Sequence, residues 1–172
     1  MGTPHRLERS QIIDRPRPEV FGFFADAANL EAITPDFLRF RMLTRPPIEM
    51  RVGTRIDYEI SLLGVPMRWR TRISDWQPGA SFVDEQESGP YAFWRHRHEF
   101  HALGNVTLMR DLVEYREPYG VFGALAHVLF VSRTLQRIFD YRSMATQRAF
   151  ATHATFATHA PFTTHAPLVG DE

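Results

Sequence analysis

Cysteine and lysine are both absent from the 172-residue sequence. Without cysteine, the chain cannot form a disulfide bond, a thiolate metal site or a thiol nucleophile. Without lysine, it cannot form a lysine Schiff base with a carbonyl substrate. The 20 basic residues are all arginine, and they balance 20 acidic residues. This balance indicates neither a nucleic-acid partner nor an anionic membrane surface.

Long hydrophobic runs are lacking as well. The longest, Val121–Val131, is too short to span a bilayer as a helix. The first residues, MGTPHRLERSQ, contain no apolar core of the kind that export signals have. Arg6 stands where a myristoylation motif has serine or threonine. We therefore expect a cytoplasmic protein without integral membrane association.

Aromatic residues, by contrast, are abundant. They make up 13% of the chain, with 14 phenylalanines, and apolar residues together reach 44%. A chain of this length is expected to fold as one domain with a substantial core. So many rings suit either a heavily filled interior or an apolar cavity.

A β-hairpin is predicted around Gly104-Asn105, because a leading glycine suits a two-residue turn. Closing the turn there places Glu99 opposite Arg110 and Arg95 opposite Glu114 on one face. Side chains alternate between the two faces of a strand, so the other face carries a separate set of pairs. These pairs are Phe100–Met109, His98–Asp111, His96–Val113 and Trp94–Tyr115.

A second hairpin is predicted about the four-residue loop Leu63–Pro66, since proline has no N–H to close a tighter turn. This register places Glu59 opposite Arg70 and Asp57 opposite Arg72. Several agreeing pairs favour one register, although each contributes only about 0.2–1 kcal/mol. The pairs on the opposite face are Ile56–Ile73, Tyr58–Thr71 and Ile60–Trp69.

The remaining patterns complete an α+β order of one strand, two helices, six strands and a long helix. The helices are predicted to begin near Pro16, to cover Asn29–Ile33 and to run over Val121–Thr146. The strands are predicted at Leu7–Ile13, Phe37–Leu43, Thr54–Leu62, Met67–Trp76, Phe82–Glu87, Tyr91–His101 and Thr107–Tyr115. This order predicts a curved, antiparallel seven-stranded sheet wrapped around a long C-terminal helix.

The C-terminal sequence has a different character. Three six-residue copies, ATHATF, ATHAPF and TTHAPL, follow one another from Ala151 to Leu168. Their histidines (His153, His159 and His165) could chelate a metal weakly, but a disordered extension is the favoured interpretation because the repeats have too little apolar surface for a core. The predicted organisation is an N-terminal tail at 1–6, a folded domain at 7–148 and a low-complexity tail at 149–172.

Several segments carry a family resemblance, among them IIDRPRPEVFGFFADAANLEAITP, RTRISDWQPGASFVDEQ, GPYAFWRHRHEF and LFVSRTLQRIFDYR. Together with the element order, they make the chain from Leu7 to Arg142 resemble the START-like superfamily, also called SRPBCC or the birch-pollen-allergen fold. It looks most like the polyketide cyclase/dehydrase and coenzyme Q-binding START-type families. The resemblance implies a helix-grip fold, whose members include carriers, cyclases and regulators. Because function does not follow from this fold, the site residues must be argued separately.

The strongest catalytic candidate is His98, which faces Asp111 in the predicted hairpin. A neighbouring carboxylate fixes the tautomer of an imidazole and raises its pKa, which is how a general base is commonly held. Inside a closed cavity, the pair could move a proton in an aldol-type cyclisation or a dehydration. The favoured interpretation is a satisfied buried pair that fixes the register of the sheet, because no third positioning group is evident.

His96 and His98 also form an H-x-H pattern on one strand, so both rings project to the same side. They could bind zinc or iron, with Asp111 as a third, oxygen ligand. The pattern is loose and no second ligand-bearing strand is evident. We therefore predict neither a metal nor another cofactor from the sequence.

The resemblance favours a cavity between the sheet and the C-terminal helix over a filled core. We expect this cavity to bind a hydrophobic small molecule, such as an aromatic polyketide, a quinone or isoprenoid, or a lipid-like compound. The predicted lining residues are Tyr58, Ile60, Trp69, Thr71, Trp94, His96, His98, Phe100, Met109, Asp111, Val113 and Tyr115. Non-catalytic binding is favoured over a cyclase or dehydratase that uses His98 as its base and Asp111 to orient it. A regulator that acts through protein contacts is the third alternative.

Overall fold

The computed structural model describes residues 3–62, 64–118 and 130–157. Seven strands form one antiparallel sheet in the order β1-β7-β6-β5-β4-β3-β2. The strands are β1 His5–Ile13, β2 Arg41–Met42, β3 Arg55–Leu62, β4 Val65–Gln77, β5 Ser81–Ser88, β6 Phe93–Leu103 and β7 Val106–Arg116. The helices are α1 Arg17–Ala25, two short 3-10 helices at Ala27–Leu30 and Asp36–Leu38, and the C-terminal helix α2 at Ser132–Ala157. This arrangement confirms the predicted helix-grip fold.

The hairpin of β6 and β7 confirms the register predicted from its sequence. Trp94 pairs with Tyr115, His98 with Asp111, and Glu99 with Arg110. Along both strands, buried side chains alternate strictly with half-exposed ones until the last residues of β6. One face of the hairpin therefore points into the core, and the other carries its ion pairs towards solvent.

The hairpin of β3 and β4 differs from the prediction by a slip of two residues. Arg70 pairs with Asp57 rather than Glu59, and its guanidinium donates two hydrogen bonds of 2.7 and 3.1 Å to that carboxylate. Glu59 instead accepts a hydrogen bond of 3.1 Å from Arg41 in the neighbouring strand β2. The two faces are unchanged, because a slip of two preserves the alternation.

The corrected pairs show why this register forms. Leu62 pairs with Val65, so Val65 and Pro66 belong to β4 and not to a four-residue loop. Gly64 adopts a φ of +82°, a conformation that suits glycine in a tight turn. Pro66 lies opposite Ser61, one pair beyond the turn. Residues in a pair at this position form no backbone hydrogen bonds with each other, so no hydrogen bond of this hairpin is lost because proline lacks an N–H.

Two predicted elements are shorter than expected. The second helix is a 3-10 turn at Ala27–Leu30, which begins where Asp26 accepts the N–H of Ala28 at 2.9 Å. The strand predicted at Phe37–Leu43 is reduced to Arg41–Met42, because a 3-10 turn begins after Pro35. Both corrections lie on one side of the sheet, where these turns contribute to the wall of the site described below.

The C-terminal helix extends beyond the predicted domain end at residue 148. Its buried side chains are Leu135, Phe139, Thr146 and Phe150, whose spacings of 4, 7 and 4 residues keep them on one helical face. Phe150 packs in the core with Ile13 and Phe24. The folded domain therefore includes Phe150. Residues 121–129 of the predicted helix and residues 158–172 of the tail lie outside the described residues.

Candidate functional site

A cavity of about 320 Å³ lies between the inner face of the sheet and the C-terminal helix. Aromatic and aliphatic side chains form most of its wall, with contributions from α1, both 3-10 turns, β3 to β6 and α2. Seven of the twelve predicted lining residues reach it. They are Tyr58, Ile60, Trp69, Thr71, Trp94, His96 and His98.

The other five predicted residues are buried but do not line the cavity. Phe100 and Met109 pack in the core with Phe24 near α1. Val113 and Tyr115 pack with Trp94. Asp111 lies behind the two histidines, where it contacts the ring nitrogens that point away from Asp84 in β5.

Asp84 is a site residue that was not predicted from the sequence. It lies opposite His96 in the pairing of β5 with β6, while Phe82 lies opposite His98. A signal was present, because Asp84 is two residues from the apolar Phe82 and must therefore share its face. The prediction aligned only strands joined by hairpins with ion pairs, and it assigned no register to β5.

The two histidines and two aspartates form one cluster, in which His96, His98 and Asp111 are buried and Asp84 is partly buried. Asp111 Oδ1 lies 2.8 Å from His96 Nε2, with hydrogen-bond geometry, and 3.0 Å from His98 Nδ1. Asp84 Oδ2 lies 3.1 Å from His98 Nε2 and 3.7 Å from His96 Nδ1. The predicted contact between His98 and Asp111 is therefore present. Its geometry is not that of a hydrogen bond, so His98 Nδ1 has no hydrogen-bond partner among the described residues. Each carboxylate instead contacts both imidazoles.

The surroundings of the cluster hold its members in place and limit access to water. The ring of Phe82 stacks on His98 with 4.2 Å between centroids, and Phe139 meets His96 edge-on at 5.4 Å. The Thr71 hydroxyl donates a hydrogen bond of 3.2 Å to Asp84 Oδ1. This bond leaves the other oxygen of the carboxylate, Oδ2, facing the histidines.

Burial and mutual contact shift the pKa values of all four groups. Burial alone would raise the pKa of each aspartate, but hydrogen bonds and charge from the histidines lower the pKa of Asp84 and bring that of Asp111 well below its ordinary range. Burial lowers the pKa of His96, helped by the charge of His98. For His98, burial is outweighed by the contacts with both aspartates, and its pKa is raised. These directions favour ionised aspartates, a His98 that holds its proton more tightly than a free imidazole and a His96 that holds its proton less tightly.

Two further polar groups line the cavity. The indole Nε1–H of Trp69, a residue that is 6% exposed, has no hydrogen-bond partner among the described residues. Arg142 of α2 places its guanidinium 5.6 Å above the ring of Phe24, and its charge lowers the pKa of Asp84. Arg142 was not among the predicted site residues, none of which belongs to the C-terminal helix.

A family model described as polyketide cyclase/dehydrase and lipid transport matches residues 13–141, more than half of the chain. No curated protein matches the sequence. Within the described residues, no helix is both long and apolar enough to cross a membrane.

Solved structures share the fold at low identity. A protein from Thermus thermophilus is 16% identical with a TM-score of 0.66, and the match covers 87% of this chain and 99% of that one. The Zhui aromatase/cyclase from Streptomyces sp. R1128 is 15% identical with a TM-score of 0.64, covering 91% and 97%. A nucleoside-diphosphate sugar epimerase from Corynebacterium glutamicum is 23% identical with a TM-score of 0.67, covering 88% of this chain and 30% of that one. At these identities, the likeness shows the fold alone.

The raised pKa of His98 predicts a pH-dependent contribution to stability. The folded state favours protonated His98. Its contribution to the free energy of unfolding is therefore complete below about pH 6.5, the pKa of histidine in the unfolded chain, and is lost as pH rises through the pKa of His98 in the folded protein. Urea unfolding of metal-free protein should show that the stability advantage of the wild type over His98→Gln shrinks from pH 6 to pH 9. Each unit by which the pKa is raised contributes about 1.4 kcal/mol to this change.

The control for this experiment is His101→Gln, a change on the same strand at a side chain that is 51% exposed. The same pH series for this variant measures the effect of replacing an exposed histidine of the strand and is subtracted from the His98→Gln series. An advantage of the wild type over His98→Gln that grew with pH would show that His98 is held neutral, contrary to this account.

Proposed function

Because this chain belongs to the polyketide cyclase/dehydrase and lipid transport family, we propose that it binds a hydrophobic small molecule in the cavity between its sheet and α2. The observation that supports this most strongly is the cavity itself, about 320 Å³ with a largely apolar wall and one polar cluster. That volume and lining are typical of a small-molecule site. The ligand is an aromatic polyketide, a quinone or isoprenoid, or a lipid-like compound.

Ring-bearing ligands suit the aromatic part of the wall best. Tyr58 and Trp69 stack with 5.7 Å between centroids, and Trp94 meets Trp69 edge-on at 5.2 Å. Burial of apolar surface contributes roughly 25 cal/mol per Å², and aromatic contacts add to it. The fold is shared with an aromatase/cyclase, which is consistent with an aromatic ligand.

The unpartnered indole of Trp69 supports a ligand that carries an oxygen acceptor. Leaving a buried donor unpaired costs about 1–3 kcal/mol, and a carbonyl or hydroxyl oxygen of a bound ligand would remove that cost. The cluster of Asp84, His96 and His98 forms a second polar part of the cavity wall. A largely apolar molecule with one or two oxygens therefore fits both kinds of surface.

The geometry supports binding more than proton transfer by His98. A general base needs a nitrogen that can face the substrate. His98 Nε2 lies 3.1 Å from Asp84 Oδ2, and Nδ1 lies 3.0 Å from Asp111 Oδ1. Both nitrogens of His98 therefore lie against carboxylates, and no position near them is left open for a substrate proton, which disfavours the cyclase or dehydratase alternative.

Filling the cavity should weaken binding without unfolding the protein. Ile60 lines the cavity, so Ile60→Trp should weaken binding of 9-fluorenone, a planar ketone, by at least about tenfold through lost space and contacts. The matched control is Ile12→Trp, which adds the same ring at a residue that is 59% exposed. Calorimetric titration, with circular dichroism to verify the fold, measures both. Equal affinities in Ile60→Trp and the wild type would place the ligand elsewhere.

Removing the indole N–H should reduce the affinity for ligands with an oxygen acceptor more than the affinity for ligands without one. One hydrogen bond contributes about 1 kcal/mol, so Trp69→Phe should reduce the affinity for 9-fluorenone about fivefold more than that for fluorene, which has the same skeleton without the carbonyl. The comparison of the two probes cancels the loss of ring area that they share. Equal losses for both probes would show that Trp69 contributes only apolar contact.

A further inference from the structure

The polar wall of the cavity brings together three donor atoms of the kinds that transition metals bind. They are Asp84 Oδ2 from β5 and, from β6, His96 Nδ1 and His98 Nε2. All three lie within 4.8 Å of one another. Two imidazoles and one carboxylate, all borne by paired strands of a rigid sheet, form a common three-ligand set for zinc and for non-haem iron.

We propose that Asp84, His96 and His98 bind a divalent transition-metal ion of the Zn²⁺ or Fe²⁺ class. Metal–ligand bonds of about 2.0–2.2 Å separate neighbouring donors by roughly 3.0–3.5 Å. The carboxylate oxygen of Asp84 already lies 3.1 Å from one imidazole nitrogen and 3.7 Å from the other. Closing the set around an ion requires the two ring nitrogens, which lie within 4.8 Å of each other, to approach one another.

Asp111 has the position of an outer carboxylate in such a centre. Its Oδ1 lies 2.8 Å from His96 Nε2 and 3.0 Å from His98 Nδ1, which are the two nitrogens that the proposed ion leaves free. Histidine ligands commonly donate their other N–H to a carboxylate, which fixes the tautomer and directs the lone pair at the metal. Here one oxygen would serve both histidines.

A hydrogen-bond network alone leaves one contact unexplained. His96 Nε2 bonds to Asp111, so in the neutral ring the proton lies on Nε2 and Nδ1 carries a lone pair. That lone pair faces the carboxylate oxygen of Asp84 at 3.7 Å, which places two acceptors against each other in a buried site. A cation between them satisfies both. A divalent ion also balances the two buried carboxylates when both imidazoles are neutral.

The three proposed ligands all line the cavity, so an ion held by them would keep open coordination positions towards it. An oxygen of a cavity ligand could occupy such a position. Metal binding is nonetheless separate from the proposed small-molecule function, because it is measured with no organic ligand present.

The test uses the full chain, prepared without an affinity tag and freed of metal with a chelator. Titration with Co²⁺ should give visible d–d absorption that saturates at one equivalent, and Zn²⁺ should compete for the same site. Asp84→Asn and His98→Gln should weaken binding at least about 100-fold. Asp111→Asn should weaken it about 10- to 100-fold, as loss of an outer carboxylate does.

The repeat tail requires its own control, because it contains three further histidines. The variant with His153, His159 and His165 all replaced by alanine should bind one equivalent of Co²⁺ as tightly as the wild type. Binding that disappears in this variant, or an absence of stoichiometric binding to the wild type, would overturn the proposal.

A measurement on the wild type covers the case in which the ligand variants fail to fold. Paramagnetic Co²⁺ at the proposed site should shift the ring proton resonances of Phe82, which stacks on His98, at the first equivalent added. Saturating Zn²⁺ should also raise the Tm, because it binds the folded state. Phe82 resonances that stay unchanged at one equivalent would overturn the proposal.

Discussion

The burial of two carboxylates beside two imidazoles is the constraint on which the rest of this site depends. Asp111 and both histidines are at most 5% exposed, and a buried charge without partners would cost several kcal/mol. The contacts of 2.8–3.1 Å within the cluster offset that cost. They also fix which atoms each ring presents to the cavity, so stability and ligand recognition share the same residues.

Strand pairing places these groups with little freedom. Across β5, β6 and β7, one row carries Phe82, His98 and Asp111, and the next carries Asp84 and His96. Each aspartate therefore lies directly opposite one histidine and diagonal to the other, so its carboxylate can reach both rings. A slip of β7 by two residues in one direction would place Asp111 opposite Phe100 and out of reach of His96. The ion pairs on the outer face thus help to hold the inner site in register.

The sequence predicted the fold and three of the four residues of this cluster. Opposed charges around Gly104-Asn105 were sufficient for the β6–β7 register, because Glu99–Arg110 and Arg95–Glu114 agree on it. They were insufficient for β3–β4, where Asp57 faces an arginine in either register. Asp84 was missed because no register was assigned to β5, although its alternation with Phe82 places it on the inner face of the sheet.

The shared role of Asp111 can be measured directly by nuclear magnetic resonance of the metal-free protein with ¹⁵N-labelled histidine. We predict that His96 carries its proton on Nε2, that this N–H exchanges slowly with water, and that Asp111→Asn changes the imidazole signals of both His96 and His98. Imidazole signals from both residues that exchange as rapidly as those of exposed His101, and that are unaffected by Asp111→Asn, would contradict the proposed sharing of one carboxylate.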